Sequence, residues 1–257
     1  MKYLDAKIDK EKIEVVCFSD WHAGSKNFDE KAALKLIEYV NNNDNVYCLS
    51  AGDLTNCATK NSKSDVYTSM NPAEEIEYVC SKKLLGSIDK DKWLIMVSGN
   101  HGNRTTREVG ISTDRLIAKE LGVADKFVDH LGLVNIRLSQ NSFYTTIHHG
   151  AGSGGTFGAK ANSLDKLSNI IAGSDICIQG HTHAPMFFLK QQYVLDKKHC
   201  RIIDQITYLV NSGTLHTYDN SYAEEKMLKP SCCKQAIITL TSANNTFKKK
   251  ISIRYEI

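Results

Sequence analysis

No two of the eight cysteines stand in Cys-x-x-Cys spacing, which excludes the commonest zinc and redox frameworks. Cys17, Cys48 and Cys177 sit inside short apolar runs, where a reduced thiol behaves as a small hydrophobe. Adjacent Cys232 and Cys233 cannot point into one mononuclear site, so none of the eight is assigned chemistry. Charge of one sign is also missing. The chain has 32 Lys plus Arg against 29 Asp plus Glu, and a net charge of +3 gives no argument for a polyanionic partner. No apolar run approaches bilayer-spanning length, and Met1 to Lys12 alternates charged and apolar residues rather than forming a signal-peptide core. The expectation is a soluble, cytoplasmic protein without a membrane partner. Internal repeats and low-complexity tracts are absent too, which excludes solenoids and disordered linkers.

What is present is an alternation of short apolar runs and amphipathic segments. Ile13–Ser19 reads as a strand, Phe28–Val40 as a helix through Leu34, Ile37 and Val40, and Val46–Ser50 as a second strand. A helix over Ala73–Leu85 follows, with Pro72 in its first turn, then a strand over Trp93–Ser98. Further on come a helix Thr113–Leu121, strands Leu133–Leu138 and Phe143–His148, a helix Ala161–Ala172 and a strand Asp175–Gln179. After Pro185 the runs Met186–Leu195, Arg201–Val210, Gln235–Thr241 and Lys248–Ile257 are all strand-like and read as a sheet meander. At 257 residues and 42% hydrophobic, one α/β domain over 1–257 is expected, with Tyr218–Cys233 as a polar surface insertion.

The chemistry gathers at strand ends. Ser19-Asp20-Trp21-His22 follows the first strand, and in extended chain Asp20 and His22 share a face. Ala51-Gly52-Asp53, Ser98-Gly99-Asn100-His101, His148-His149-Gly150 and Gln179-Gly180-His181-Thr182-His183 follow four more. A single histidine after a strand is more often a hydrogen-bonded loop residue. Five polar clusters at the ends of five strands are different, because the carboxyl ends of α/β strands open on one edge and bring distant residues together. Carboxylate oxygen, amide oxygen and imidazole nitrogen suit manganese, iron, zinc or a related ion. A carboxylate that bridges two such ions lets them clamp the attacking and leaving oxygens of a phosphoryl transfer, and Asp53, central in the order, is the candidate bridge.

These residues resemble the calcineurin-like metallophosphoesterase superfamily, whose blocks run Asp-x-His, Gly-Asp, Gly-Asn-His, His-Gly and Gly-His-x-His. All five are present between Asp20 and His183, about two thirds of the chain. The resemblance implies an α/β fold, a four-layer αββα sandwich of two mixed β-sheets flanked by helices. It implies two divalent cations, Mn²⁺ first with Fe, Zn, Ni or Mg as alternatives. One would be held by Asp20, His22, Asp53 and His183, the other by Asp53, Asn100, His149 and His181, with His149 preferred to His148 because it directly precedes Gly150. It leaves His101 over the substrate phosphate, stabilising charge or protonating the leaving oxygen.

Two departures from the Ser/Thr protein phosphatase branch set the substrate expectation. Gly52-Asp53 continues into Leu54-Thr55 rather than Asp-Arg-Gly, and His101 is followed by Gly102 rather than an acid. Arg104 and Arg107, just past the Gly-Asn-His turn, are candidates for holding a phosphate, with a solvated loop arginine as the plain alternative. The expected activity is hydrolysis of a phosphodiester in a nucleotide or nucleic acid. A phosphomonoesterase is the alternative, and a non-catalytic module is disfavoured by the full ligand set. The Gly150–Gly158 segment is expected to be a flexible loop and Lys248-Lys249-Lys250 an exposed turn.

Overall fold

The structure is a computed structural model that describes residues 1–62, 70–152, 155–227, 229–242 and 249–256. In chain order it contains β1 (Lys2–Ile8), β2 (Lys12–Phe18), α1 (Glu30–Asn42), β3 (Val46–Ser50), α2 (Pro72–Cys80), β4 (Trp93–Val97), α3 (Gly102–Val109) and α4 (Thr113–Glu120). Then come β5 (Phe127–Val128), β6 (Gly132–Leu138), β7 (Asn141–His148), α5 (Phe157–Ser168), β8 (Ile176–Gln179), β9 (Met186–Asp196) and β10 (Arg201–Asn211). The last elements are β11 (Gly213–Thr214), α6 (Tyr222–Glu225), β12 (Lys234–Ser242) and β13 (Lys249–Glu256).

Two mixed sheets result. One has the order β1-β6-β7-β8-β10-β9, the other β11-β12-β2-β3-β4-β5 with β13 on the free side of β12. Strand alternation decides which side chains face which layer. Ile13, Val15 and Cys17 of β2 meet Val134, Ile136, Phe143, Ile147 and Ile178 between the sheets. Val16 and Phe18 point the other way, onto Ala33, Leu36, Ile37 and Val40 of α1 and Val79 of α2. On the outer face of the first sheet, Leu164 and Leu167 of α5 cover Cys177 and Leu209. The layers are therefore helix, sheet, sheet, helix.

Local signals start the helices. Asp29 caps α1 by accepting from the Ala32 amide at 3.0 Å, and Asn71 and Glu74 form a reciprocal capping box ahead of Pro72. Each such cap is worth about 1 kcal/mol. All eight cysteines are free thiols, and Cys17, Cys48, Cys57 and Cys177 are buried.

The structure corrects several expectations. β1 is a true strand, paired in parallel with β6 from Lys2↔Gly132 to Ile8↔Leu138; its charged and apolar alternation is the period of a half-exposed strand. The second helix ends at Cys80, because Ser81 turns extended and Gly86 folds back to donate to the Ser81 carbonyl. The fifth helix starts four residues before the expected position, where Thr156 caps it through the Ala159 amide. Arg104 and Arg107 lie on a helix, α3, and not in a loop. Its Gly102, Asn103 and two threonines carry no apolar period, and it is held by packing of Gly102 on α4 and by Thr105 Oγ1 donating to the Gly102 and Ile111 carbonyls.

The strand-rich tail is not one meander. The β9–β10 hairpin extends the first sheet and β12–β13 the second, with the switch at Gly213, whose φ of +89° and closeness to the Lys234 carbonyl exclude a side chain. Lys249 and Lys250 belong to β13 rather than a turn, while Lys248 and Ile257 lie outside the described residues. So do Ser153 and Gly154 of the glycine-rich segment, and Leu228 of the Tyr218–Cys233 stretch. That stretch is largely exposed, and its Ser231 hydroxyl donates to the His183 carbonyl.

Candidate metal centre

β2, β3 and β4 run parallel in one sheet, and β7 and β8 run parallel in the other. Their carboxyl ends therefore deliver all five clusters to one edge of the sandwich. The loop after β2 lies on the loop after β3: Asp20 N–H donates to Gly52 O at 3.1 Å, and the Trp21 and His22 amides donate to Asp53 O at 3.0 and 3.1 Å. Asp20 and His22 do converge, but not as neighbours on an extended strand. Both have left-handed φ, +52° and +49°, as do Asp53, His181 and His183 at +53°, +67° and +53°. This conformation costs a non-glycine residue about 1–2 kcal/mol each. Five such residues in one site mark a place where side-chain direction takes precedence over backbone comfort.

The donors are packed closely. His149 Nε2 lies 3.1 Å from Asp53 Oδ2 and 2.8 Å from Asn100 Oδ1, and His181 Nδ1 lies 2.7 Å from the same amide oxygen. His183 Nε2 is 3.2 Å from Asp20 Oδ1 and 3.0 Å from His22 Nε2. Asp20 with His22 and His183, His22 with Asp53 and His101, and Asp20 with Asp53 and His149 each offer ligand atoms within 4.8 Å of one another. His149, not His148, faces this centre; His148 Nδ1 instead accepts from the Gly150 amide at 2.8 Å. Arg104 reaches it, with Nη2 2.9 Å from His101 Nε2 and Nη1 3.1 Å from Asn56 O, whereas Arg107 is exposed further along α3.

The profile of calcineurin-like phosphoesterases matches residues 13–185, about two thirds of the chain, and spans every one of these groups. The chain belongs to the calcineurin-like phosphoesterase family. Membership supports metal-dependent phosphoester hydrolysis as its chemistry. Among curated proteins, the chain is 23% identical over 231 residues to the DNA polymerase II small subunit of Methanothermobacter thermautotrophicus. That alignment takes in 83% of this chain but 45% of the relative, so the chain spans less than half of that relative's length. Among solved structures it resembles a predicted phosphoesterase from Streptococcus pneumoniae at 13% identity and a TM-score of 0.39, covering 95% and 98% of the two chains. It likewise resembles calcineurin-like phosphoesterase YfkN from Bacillus subtilis at 13% identity and a TM-score of 0.43, covering 95% and 90%.

Hydrogen bonds behind the centre fix which nitrogens of this phosphoesterase face inward. His149 Nδ1 donates to Ala51 O at 2.8 Å and His181 Nε2 to Gly152 O at 2.7 Å, so His149 Nε2 and His181 Nδ1 are left as acceptors. Both face the Asn100 amide oxygen; with His149 neutral, three lone pairs converge there, an arrangement that a cation satisfies. The donor set thus fits a divalent metal.

The electrostatics agree. Burial works against ionisation of Asp53, but His149, His101 and His22 outweigh it and bring the carboxyl well below its ordinary range. Burial likewise opposes a charged His149, yet Asp53 and Asp20 raise it to about 9, so His149 becomes an acceptor through Nε2 only when a bound cation displaces that proton. Burial together with His101 and His183 pushes His22 well down, and burial lowers His101 to about 4. Neutral imidazoles are the form that binds metal.

Sequence reading missed four supporting residues. His216, just past β11, stands with its ring 5.3 Å from that of His22 and takes a 3.2 Å contact from Ser25 Oγ. It too follows a strand end, as Ser212-Gly213-Thr214-Leu215-His216, and that was its available signal. Gln235, fully buried, brackets Ser19 by accepting from its amide at 2.8 Å and donating to its carbonyl at 3.0 Å. Asp114, buried in α4, accepts from the Gly99 amide at 3.1 Å and is raised to about 7 by burial and by Asp53. Glu75, buried in α2, accepts from the Cys57 amide at 2.7 Å and is also raised by burial to about 7. Neither acid has a sequence signature, since each looks like an ordinary surface carboxylate of an amphipathic helix.

Proposed function

We propose that this phosphoesterase hydrolyses phosphodiester bonds of a nucleotide or nucleic acid at a centre for two divalent cations, Mn²⁺ first. The observation that carries the reading is the position of Asp53, whose carboxylate lies within 4.8 Å of His22 from one proposed ligand set and of His149 from the other. In this reading Asp20, His22, Asp53 and His183 hold one ion, and Asp53, Asn100, His149 and His181 the other. The cations supply Lewis acidity and a hydroxide nucleophile near neutral pH.

The remaining steps fall to the chain's own groups. In this reading His101 is left for the substrate: its Nδ1 donates to Asn56 O at 2.8 Å and its Nε2 accepts from Arg104 at 2.9 Å. A phosphoryl oxygen that displaces this contact meets the imidazole and the guanidinium together, and both stabilise charge growing on it. The Asp53 Oδ1 bond from the His101 amide, 2.8 Å, fixes that imidazole against the bridging carboxylate. Preference for a diester is supported by the absence of protein-phosphatase features and by Arg104 at the rim. A relative named as a DNA polymerase subunit adds a nucleic-acid context. In this reading Arg107, exposed on the same helix, meets a phosphate further along the same polynucleotide.

The test is an activity panel of bis-p-nitrophenyl phosphate, p-nitrophenyl phosphate, cyclic nucleotides and single- and double-stranded DNA, each with Mn²⁺, Ni²⁺, Zn²⁺ or Mg²⁺. Faster turnover of diesters is expected; a clear preference for the monoester reverses the substrate ranking.

A further inference from the structure

The β9–β10 hairpin carries nine of the chain's exposed large hydrophobic side chains, on strands whose tip stands beyond the cover of the second sheet. Its register sorts them by face. Tyr208 and Val210 of β10 pack between the sheets, and by alternation the same face runs outward through Phe187, Leu189, Tyr193 and Leu195 of β9 and Ile202 and Ile206 of β10, with Gln191 and Asp204 hydrogen-bonded to each other at 3.2 Å among them. These six are between 45% and 76% exposed. At about 200 Å² for a large apolar side chain their exposed parts sum to roughly 700 Å², and the four on β9 stand next to the open edge. β9 is also the edge strand of its sheet, paired with no strand but β10 among the described residues.

We propose that this edge pairs with a second copy of the same chain, β9 against β9 in antiparallel register about a two-fold axis. The sequence of β9 is self-complementary for that pairing. With the axis at Gln191, the middle of Met186–Asp196, Leu189 opposes Tyr193 and Phe187 opposes Leu195 across the apolar face. On the other face Phe188 opposes Val194, Lys190 opposes Gln192 and Asp196 opposes Met186, so no charge meets a like charge. Lys190 is moreover already neutralised by Asp165 at 2.7 Å. An unrelated protein would have to match both an open edge and this pattern, whereas a second copy does so by symmetry. The eleven-residue pairing spans about 36 Å.

Sedimentation equilibrium of the full chain from micromolar to tens of micromolar concentration tests this. The expected mass is twice 28.7 kDa. Leu189→Lys with Tyr193→Lys sets lysines against lysines across the axis and is expected to weaken the dimer by ~100-fold or more, with unchanged far-UV circular dichroism and a melting temperature that no longer rises with protein concentration. In a Cys200→Ser, Cys232→Ser background, Gln191→Cys is expected to give an oxidised covalent dimer, and Lys198→Cys is not. A monomer throughout the concentration range overturns the proposal, as does a dimer indifferent to the paired lysines or equal cross-linking at both positions.

Discussion

Gly99→Ala is a one-carbon change whose outcome follows from the closeness of Asp53. A Cβ on Gly99 would lie 1.9 Å from Asp53 Oδ1, 2.3 Å from the Asp53 amide nitrogen and 2.7 Å from its carboxyl carbon. Ordinary contact begins near 3.4 Å, so the carboxylate must move by about 1.5 Å or the turn must open. Either movement breaks the bond from the His101 amide to Oδ1 and displaces a carboxylate that belongs to two donor groups. A misplacement of ~1 Å in such a site costs about 10²-fold in rate, and overpacking a buried turn costs about 1–3 kcal/mol in stability. The variant is expected to fold with a lower melting temperature, to bind metal more weakly by isothermal titration, and to lose at least ~100-fold in kcat/KM on bis-p-nitrophenyl phosphate. Wild-type metal affinity together with turnover near the wild-type value would refute the placement of Asp53 at the centre.

Other expectations separate the roles. His101→Ala keeps its metals but loses about 10²–10⁴-fold in rate; if the loss is equal for p-nitrophenol and alkyl leaving groups, the imidazole acts only on phosphoryl charge. Arg104→Ala raises KM for oligonucleotides and flattens the salt dependence of cleavage, and Arg107→Ala does so more weakly; unchanged salt slopes for both refute phosphate contacts by either. Glu75, with its folded pKa raised to about 7, favours the folded protein fully below pH 4.5, and that contribution is lost as pH rises through 7. Glu75→Gln is therefore expected to gain melting temperature relative to wild type at pH 8 and not at pH 5, read by calorimetry; equal shifts at both would contradict a buried proton there.

The clusters at five strand ends were legible because each is a local motif whose convergence follows from strand direction alone. His149 was picked out over His148 by the family block, because it directly precedes Gly150, and alternation along the strand says only that the two point apart. The supporting residues were not. Asp114 and Glu75 become buried acids only through the packing of α4 and α2, and Gln235 reaches Ser19 from a strand more than two hundred residues away. α3 was hidden because tertiary contacts, not apolar period, hold it, and β1 was hidden because a half-exposed edge strand alternates like a charged terminus. The division of the tail between two sheets depends on the single turn at Gly213, which a strand-by-strand reading cannot see.

The central claim is a pair of cations joined through Asp53. Metal-stripped protein titrated with Mn²⁺ and read by elemental analysis after desalting, with diesterase activity measured at each step, tests it most directly. Two ions per wild-type chain are expected, activity rising with the second, and Asp53→Asn is expected to lose both ions and activity together. A single ion at full activity, or an Asp53→Asn chain that retains two ions at wild-type affinity, would contradict it.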